Sequence, residues 1–194
     1  MSLVLLLALF VTTAECRADE YAVFSDFLSA MRWERYRSKT PIRRYVIRER
    51  TDAQTLGGFG QLPWRITDNH RARLRVLEDS TCLSFETLNA QPMRLDAKQF
   101  PGISVTLISE EEYNASFPST PVLKGPPRQI WQEYADSPGV LALSRVGFSN
   151  DGKQAVLYFD QILTGQVGRG GLAVLTRERK ERWTIRQLLT VRRY

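Results

Sequence analysis

Cysteine and histidine are the scarcest residues in this chain of 194: there are two of the first and one of the second. Two cysteines exclude a disulfide-stapled scaffold and any zinc finger of ordinary type. A single histidine leaves His-rich metal sites and Ser-His-Asp chemistry almost nothing to build on. Long apolar runs are also missing. The longest, Leu3–Val11 (LVLLLALFV), has nine residues, against the roughly 20 that a helix needs to cross a hydrocarbon core. Internal repeats and low-complexity tracts are absent too. Aromatic residues, by contrast, are plentiful: nine Phe, seven Tyr and four Trp supply a core and exclude a disordered chain. With 43% hydrophobic and 25% charged residues, the composition is that of one globular domain, or at most two small ones.

The Leu3–Val11 run is followed by Thr12, Thr13 and Ala14, the pattern of a secretory signal peptide with cleavage after Ala14 or Ala18. Residues 1–18 are therefore read as a signal and 19–194 as a single exported domain. No Lys or Arg precedes the run, so the amino terminus alone supplies the positive end. Cys16 stands where a lipoprotein carries its acylated residue. Glu15 before it is not the small residue that acylation requires, which counts against a lipid anchor. Cys82, in STCLSFETL, reads as a small core residue.

The net charge of +6 is concentrated at two places. Residues 32–50 hold eight Arg/Lys against two Glu, and residues 177–193 hold seven against two. Two readings follow: a solvated Arg-rich surface, or attachment to an anionic envelope polymer or lipid surface through these segments. Export removes nucleic acid from the expected partners.

Residues 19–37 place Tyr21, Phe24, Leu28 and Met31 on one helical stripe, with Asp19 and Glu20 suited to the helix's positive N-terminal end. RRYVIRERT and ISVTLI (103–108) read as strands. Asp68 is expected to cap a helix DNHRARLRVLED that turns Leu74 and Leu77 inward. Ser80 or Thr81 is expected to start a second helix, and RQIWQEYA a further one. Ser109 and Glu112 form a capping box. In the last third, Gly139–Ser149 and Lys153–Leu163 are joined by the turn Asn150-Asp151-Gly152, and GLAVLTRE and RWTIRQLL follow. Helices first and strands later indicate an α+β fold: N-terminal helices packed on an antiparallel sheet with a C-terminal four-strand meander, helix-rich over 19–136 and strand-rich over 139–194.

Few constellations suggest chemistry. The Gly165–Gly171 loop lacks the Lys-Ser/Thr and the helix of a P-loop, and reads as a wide hairpin with several positive-φ glycines. His70 reads as a surface residue. Asp160 interrupts AVLYFDQIL and Ser144-Arg145 interrupts VLALSRVGF, two polar breaks on neighbouring strands that suggest an inward ion pair or hydrogen-bonded network. The candidate ligand-binding set is Arg145, Asp160, Gly168, Arg169 and Gly170. No catalytic residue, metal ligand or cofactor is assigned. Asn114-Ala115-Ser116 matches a glycosylation acceptor, meaningful only in a eukaryotic source.

Trp131-Gln132-Glu133-Tyr134, Asp136-Ser137-Pro138-Gly139, Leu143–Ser149 (LSRVGFS) and Gln154–Tyr158, followed by Gly168, Gly170, Val174-Leu175 and Trp183-Thr184-Ile185, resemble a family of uncharacterised bacterial exported envelope proteins. Upstream, Phe85, Asn89, Leu95 and Val105–Glu111 are similar to the same family, so the resemblance spans most of residues 19–194 and is specific over about 131–185. It implies export and a strand meander, and it implies no catalytic residue. Many members carry two cysteines in the Gly-rich loop, where this chain has none, and a glycine where it has Glu181-Arg182. The leading expectation is an exported, non-catalytic binding or envelope-associated module. The alternative is a hydrolase using carboxylates such as Asp160 or Glu133, which requires two carboxyls within about 10 Å in a concave pocket.

Overall fold

The computed structural model describes residues 18–33, 41–51, 65–116, 133–164, 167–178 and 182–193. The fold is α+β, with helices on both faces of a mixed seven-stranded sheet. Helix α1 covers residues 18–30. Strand β1 (Tyr45–Arg48), helices α2 (Asp68–Arg73) and α3 (Asp79–Asn89), a 3₁₀ turn (Ala97–Gln99), strand β2 (Val105–Ile108) and helix α4 (Glu110–Ser116) follow. The strands β3 (Val140–Leu143), β4 (Gly147–Phe148), β5 (Gln154–Thr164), β6 (Val167–Thr176) and β7 (Thr184–Arg193) complete the sheet.

Strand order is β2-β1-β3-β5-β6-β7, with β4 also paired to β5. From β3 onward neighbouring strands are antiparallel, and β5, β6 and β7 form the meander. The run 139–149 divides into β3 and β4, both on β5, around Ser144–Val146. The sheet as a whole is not antiparallel as the sequence suggests: β1 lies parallel to both β2 and β3. Parallel partners need long crossovers, and the segments between β1 and β2 and between β2 and β3 are long enough to supply them.

Alternation along the strands divides the core. Leu141, Leu143, Ala155, Leu157, Phe159, Ala173 and Leu175 form one face, covered by Tyr21, Phe24, Phe27 and Leu28 of α1. Ala142, Val156, Tyr158, Leu172 and Val174 form the other, covered by Ile66, Leu74, Cys82 and Phe85. Further along that second side, Val46, Ile108 and Val140 pack with Tyr113 of α4 and with Tyr134. Burial on both faces explains why β5 reads as a near-continuous apolar run.

Local chemistry sets several boundaries. Ser109 and Glu112 do form the reciprocal cap, with Ser109 N–H donating to Glu112 Oε2 at 3.2 Å and Glu112 N–H to Ser109 Oγ at 3.1 Å. At α2 the cap is Thr67 rather than Asp68: His70 N–H donates to Thr67 Oγ1 at 3.3 Å, and Thr67 N–H to His70 Nδ1 at 3.4 Å. The helix stops at Arg73, so Leu74 is buried beyond its end and the expected longer helix does not form. Helix α3 begins at Asp79, one residue before the expected Ser80. Of RQIWQEYA, residues 128–132 lie outside the described residues.

Candidate functional site

The LSRVGF segment is the most distinctive stretch of the sequence, and each of its residues has a packing task. Ser144 Oγ accepts from Tyr158 N–H at 2.8 Å and donates to Arg145 C=O at 2.8 Å. Arg145 extends its guanidinium to Glu20 on α1, with Nε–Oε1 at 3.2 Å and Nη2–Oε2 at 3.0 Å. Glu20 is 1% exposed, and Val146 N–H gives the same carboxylate a third donor at 3.1 Å. Three donors on one buried carboxylate satisfy the condition under which a charge is tolerated inside a core.

The backbone of Arg145 is held from the other side. Asn89 Oδ1 accepts from Arg145 N–H at 2.9 Å, and Asn89 Nδ2 donates to Arg145 C=O at 3.1 Å and to Phe85 C=O at 2.8 Å. A Cβ on Gly147 would lie 2.5 Å from the Phe85 backbone nitrogen, so only glycine lets β4 approach α3 so closely. Phe148 N–H then donates to Ser84 Oγ at 3.0 Å, and its ring packs at 5.9 Å from Trp183. The segment clamps α1 and α3 to opposite faces of one strand crossing.

Helix α1 carries two more anchors. Asp19 accepts from Arg177 Nη1 at 3.2 Å, and Asp26 Oδ2 accepts from Trp183 N–H at 2.8 Å. Arg177 also lies 4.5 Å over the Trp183 ring. Trp183 is thus a core residue at the start of β7.

The five sequence candidates do not converge. Arg145 is bound to Glu20 and makes no pair with Asp160, which corrects the expected pairing of the two polar interruptions. Asp160 is 0% exposed and lies across from Ala142 on β3 and Gly170 on β6. Strand alternation puts it on the same face as Tyr158 and Val156, the face opposite α1. Arg169 is on the α1 side: its Nε donates to Gln161 Oε1 at 3.0 Å and its Nη2 to Arg32 C=O at 2.6 Å, with the guanidinium 5.9 Å from the Trp33 ring. Gln161 Nε2 in turn donates to Pro138 C=O at 2.7 Å. Gly168 and Gly170 are ordinary members of β6, paired with Ile162 and Asp160. Positive φ occurs among the described glycines at Gly102, Gly139 and Gly152, so of the Gly165–Gly171 loop Gly168, Gly170 and Gly171 are not left-handed, and Gly165 lies outside the described residues.

Of the carboxylates considered for hydrolysis, Asp160 is buried in the sheet and Glu133 is exposed, and two further acidic residues near the sheet, Asp136 and Asp151, hold structural contacts. Asp136 holds Arg44 at 2.8 Å. Asp151 accepts from Ser149 Oγ at 2.7 Å and Lys153 N–H at 3.0 Å, which lowers its pKa from the ordinary value and closes the turn whose Gly152 has φ +67°.

What remains for recognition is the edge of the sheet. Both basic segments hold matched and unmatched arginines: Arg32, Arg43 and Arg50 of the first are exposed without an ion pair among the described residues, and Arg177 of the second is paired with Asp19. In the first, Arg44 is paired with Asp136 over the Tyr134 ring, and buried Arg48 is paired with Glu110 and stacked 4.2 Å from Tyr113. In the second, Arg182 just before β7 and Arg186 and Arg193 on it are exposed, and none makes an ion pair among the described residues. Among the described residues β7 pairs only with β6, which leaves one row of its backbone groups without a strand partner there. Gln187 Nε2 donates to Arg73 C=O at 2.8 Å, which brings the end of α2, with exposed Arg73 and Arg75, against the same strand. Sequence reasoning found the charge but not that Arg182, Arg186 and Arg193 collect it at a sheet edge.

Comparison with protein-family models, with curated proteins and with solved structures returns no match.

Proposed function

We propose that the protein is an exported, non-catalytic binding module that engages an anionic partner across its β7 edge. The observation that carries this reading is the row of exposed arginines, Arg182, Arg186 and Arg193, without acidic partners among the described residues. Arg44, Arg48, Arg145 and Arg177 are each matched to a carboxylate. Arg32, Arg43 and Arg50 are exposed without an ion pair among the described residues as well, and what sets Arg182, Arg186 and Arg193 apart is their place at an edge strand. Unmatched charge on an exposed edge costs the fold little and raises the encounter rate with a negative ligand.

Export rests on the Leu3–Val11 run and on the resemblance to bacterial envelope proteins. Among the described residues no helix is long and apolar enough to cross a membrane. The hydrolase alternative gains nothing from the geometry, because it needs two carboxyls sharing a concave pocket, and Asp160 is sealed inside the sheet while Glu133 is exposed.

Fractionation of the native host with N-terminal sequencing tests the reading. The expected result is a shortened chain outside the cytoplasm, released from envelope material by raised salt, because surface ion contacts are screened. An uncleaved chain in the cytoplasm, or envelope binding indifferent to salt, would contradict it.

A further inference from the structure

The β7 edge carries more information than its charge. Its register with β6 is broken twice: Val174 pairs with Gln187 but Leu175 with Ile185, leaving Arg186 as an extra residue, and Gly171 pairs with Thr190 but Gly170 with Arg192, leaving Val191 extra. Between the two bulges, Gln187, Leu188, Leu189 and Thr190 keep an unbroken ladder with Val174, Ala173, Leu172 and Gly171. Within this stretch Leu189 points into the core, while Leu188 is 45% exposed and Thr190 is exposed. The edge is therefore a short regular strand, apolar at Leu188, with arginines at and beyond each bulge.

Bulges and charge are the usual protections of an edge against indiscriminate pairing. Here they act selectively. A second copy added parallel and in register would bring Arg186 and Arg193 against their own equivalents. In either direction it would double the positive charge along the edge, where like charges facing each other across a strand pair are destabilising. A strand carrying Glu or Asp reverses that sign. It would also satisfy the outward row of N–H and C=O groups, which a lipid surface or a featureless polyanion cannot do in register.

We infer that β7 accepts an acidic, extended polypeptide segment as an added strand, paired along Gln187–Thr190 and flanked by charge pairs to Arg182, Arg186 and Arg193. The inference rests on the proposed anionic recognition at this edge and names the chemical class of the partner. Backbone pairing supplies the affinity and the arginines the selectivity, as in other strand-addition complexes.

The test uses the full chain and three probes: a labelled ten-residue peptide of alternating Glu and Val, the same peptide N-methylated on alternate amides, and phosphatidylglycerol vesicles. The expected result is peptide binding that weakens about tenfold or more on N-methylation, a loss of about 1.4 kcal/mol or more. Bound peptide should also slow amide exchange in residues 187–190. The double variant Arg186→Glu/Arg193→Glu should lose binding, whereas Arg43→Glu, at an exposed arginine outside β7, should not. Equal binding of both peptides would overturn strand addition while leaving anionic recognition standing. Binding to vesicles but not to the peptide would do the same and transfer the site to lipid. No binding to any of the three would overturn both readings. Thermal midpoints of the variants, unchanged, show that the losses are not unfolding.

Discussion

Glu20 and Arg145 lie 125 residues apart in the chain and meet as a two-pronged ion pair between the first helix and the end of β3. The carboxylate is buried while the arginine side chain keeps 18% of its exposure. The pair is therefore nearer to a core interaction than to a surface one, and its worth depends on both members being present.

Removing one member should be costly. Glu20→Ala strands the Arg145 guanidinium and the Val146 amide, and is expected to lower stability by about 3 kcal/mol, the lower end for broken buried pairs. The joint variant Glu20→Leu/Arg145→Met should recover a large part of that loss. Urea denaturation midpoints of the three proteins check it. Additive losses in the double variant would mean that the two residues do not act as a pair.

Gly147→Ala puts a methyl group 2.5 Å from Phe85 N and 2.6 Å from its Cα. Backbone atoms cannot yield as a side chain can, so α3 must shift. A destabilisation of about 3 kcal/mol is expected from such overpacking, read as a fall in the thermal midpoint. Gly102→Ala is a useful contrast: nothing lies within 4 Å of the added Cβ, but φ is +72°, so only backbone strain remains.

His70 supplies a small pH dependence. Burial, and secondarily the charge of Arg73, push its pKa below the ordinary 6.5. As a neutral ring its Nδ1 accepts from Thr67 N–H, an arrangement that protonation removes. The unfolded chain therefore binds the proton more readily. The contribution is present above about pH 6.5 and is lost as pH falls through the depressed folded value. An NMR titration of the His70 ring should show the lowered midpoint, and Arg73→Ala should move it upward.

Burial likewise pushes the Cys82 thiol above its ordinary value, the chief cause outweighing the opposing charge of Arg71. The side chain is 0% exposed. Iodoacetamide is expected to leave it unmodified in the native protein and to label it promptly in 8 M urea, since the thiolate is the reactive form. Fast labelling of the native chain would show that α3 opens readily.

Helix α1 bears on where a signal would be removed. Cleavage after Ala18 would place a new ammonium at the positive end of the helix, against its dipole, and would take away the Ala18 carbonyl. Cleavage after Ala14 leaves Asp19 and Glu20 in their contacts with Arg177 and Arg145. A chain beginning at Glu15 is therefore expected to melt at a higher temperature than one beginning at Asp19. Equal midpoints would remove the distinction.

Much of the fold was legible locally. The apolar stripe of α1, the β-rich runs at β1 and β2, the Ser109–Glu112 cap and the tight turn at Gly152 each depend on residues a few positions apart. Glu20 was legible in part: it lies on the stripe of Phe24, Phe27 and Met31, and a charge on an apolar stripe signals a buried partner. It reads equally as a dipole-compensating residue, and nothing local names Arg145 as its counterpart. The parallel setting of β1 was not legible, because strand direction leaves no mark on a run buried on both faces. The candidate site fared less well. Polar breaks at Arg145 and Asp160 were visible, but alternation assigns Asp160 to the face away from α1, to which Arg145 turns. Which arginines stay unmatched depends on tertiary partners such as Asp136 and Glu110.

The central claim, recognition of an anionic partner through β7, is tested most directly by the salt dependence of binding. The full chain and the triple variant Arg182→Gln/Arg186→Gln/Arg193→Gln should be titrated with polyglutamate across a range of ionic strengths. Affinity is expected to fall steeply with salt for the native chain, and the variant to bind weakly with a shallow slope at an unchanged thermal midpoint. Equal affinity and equal slope in the two proteins would contradict it.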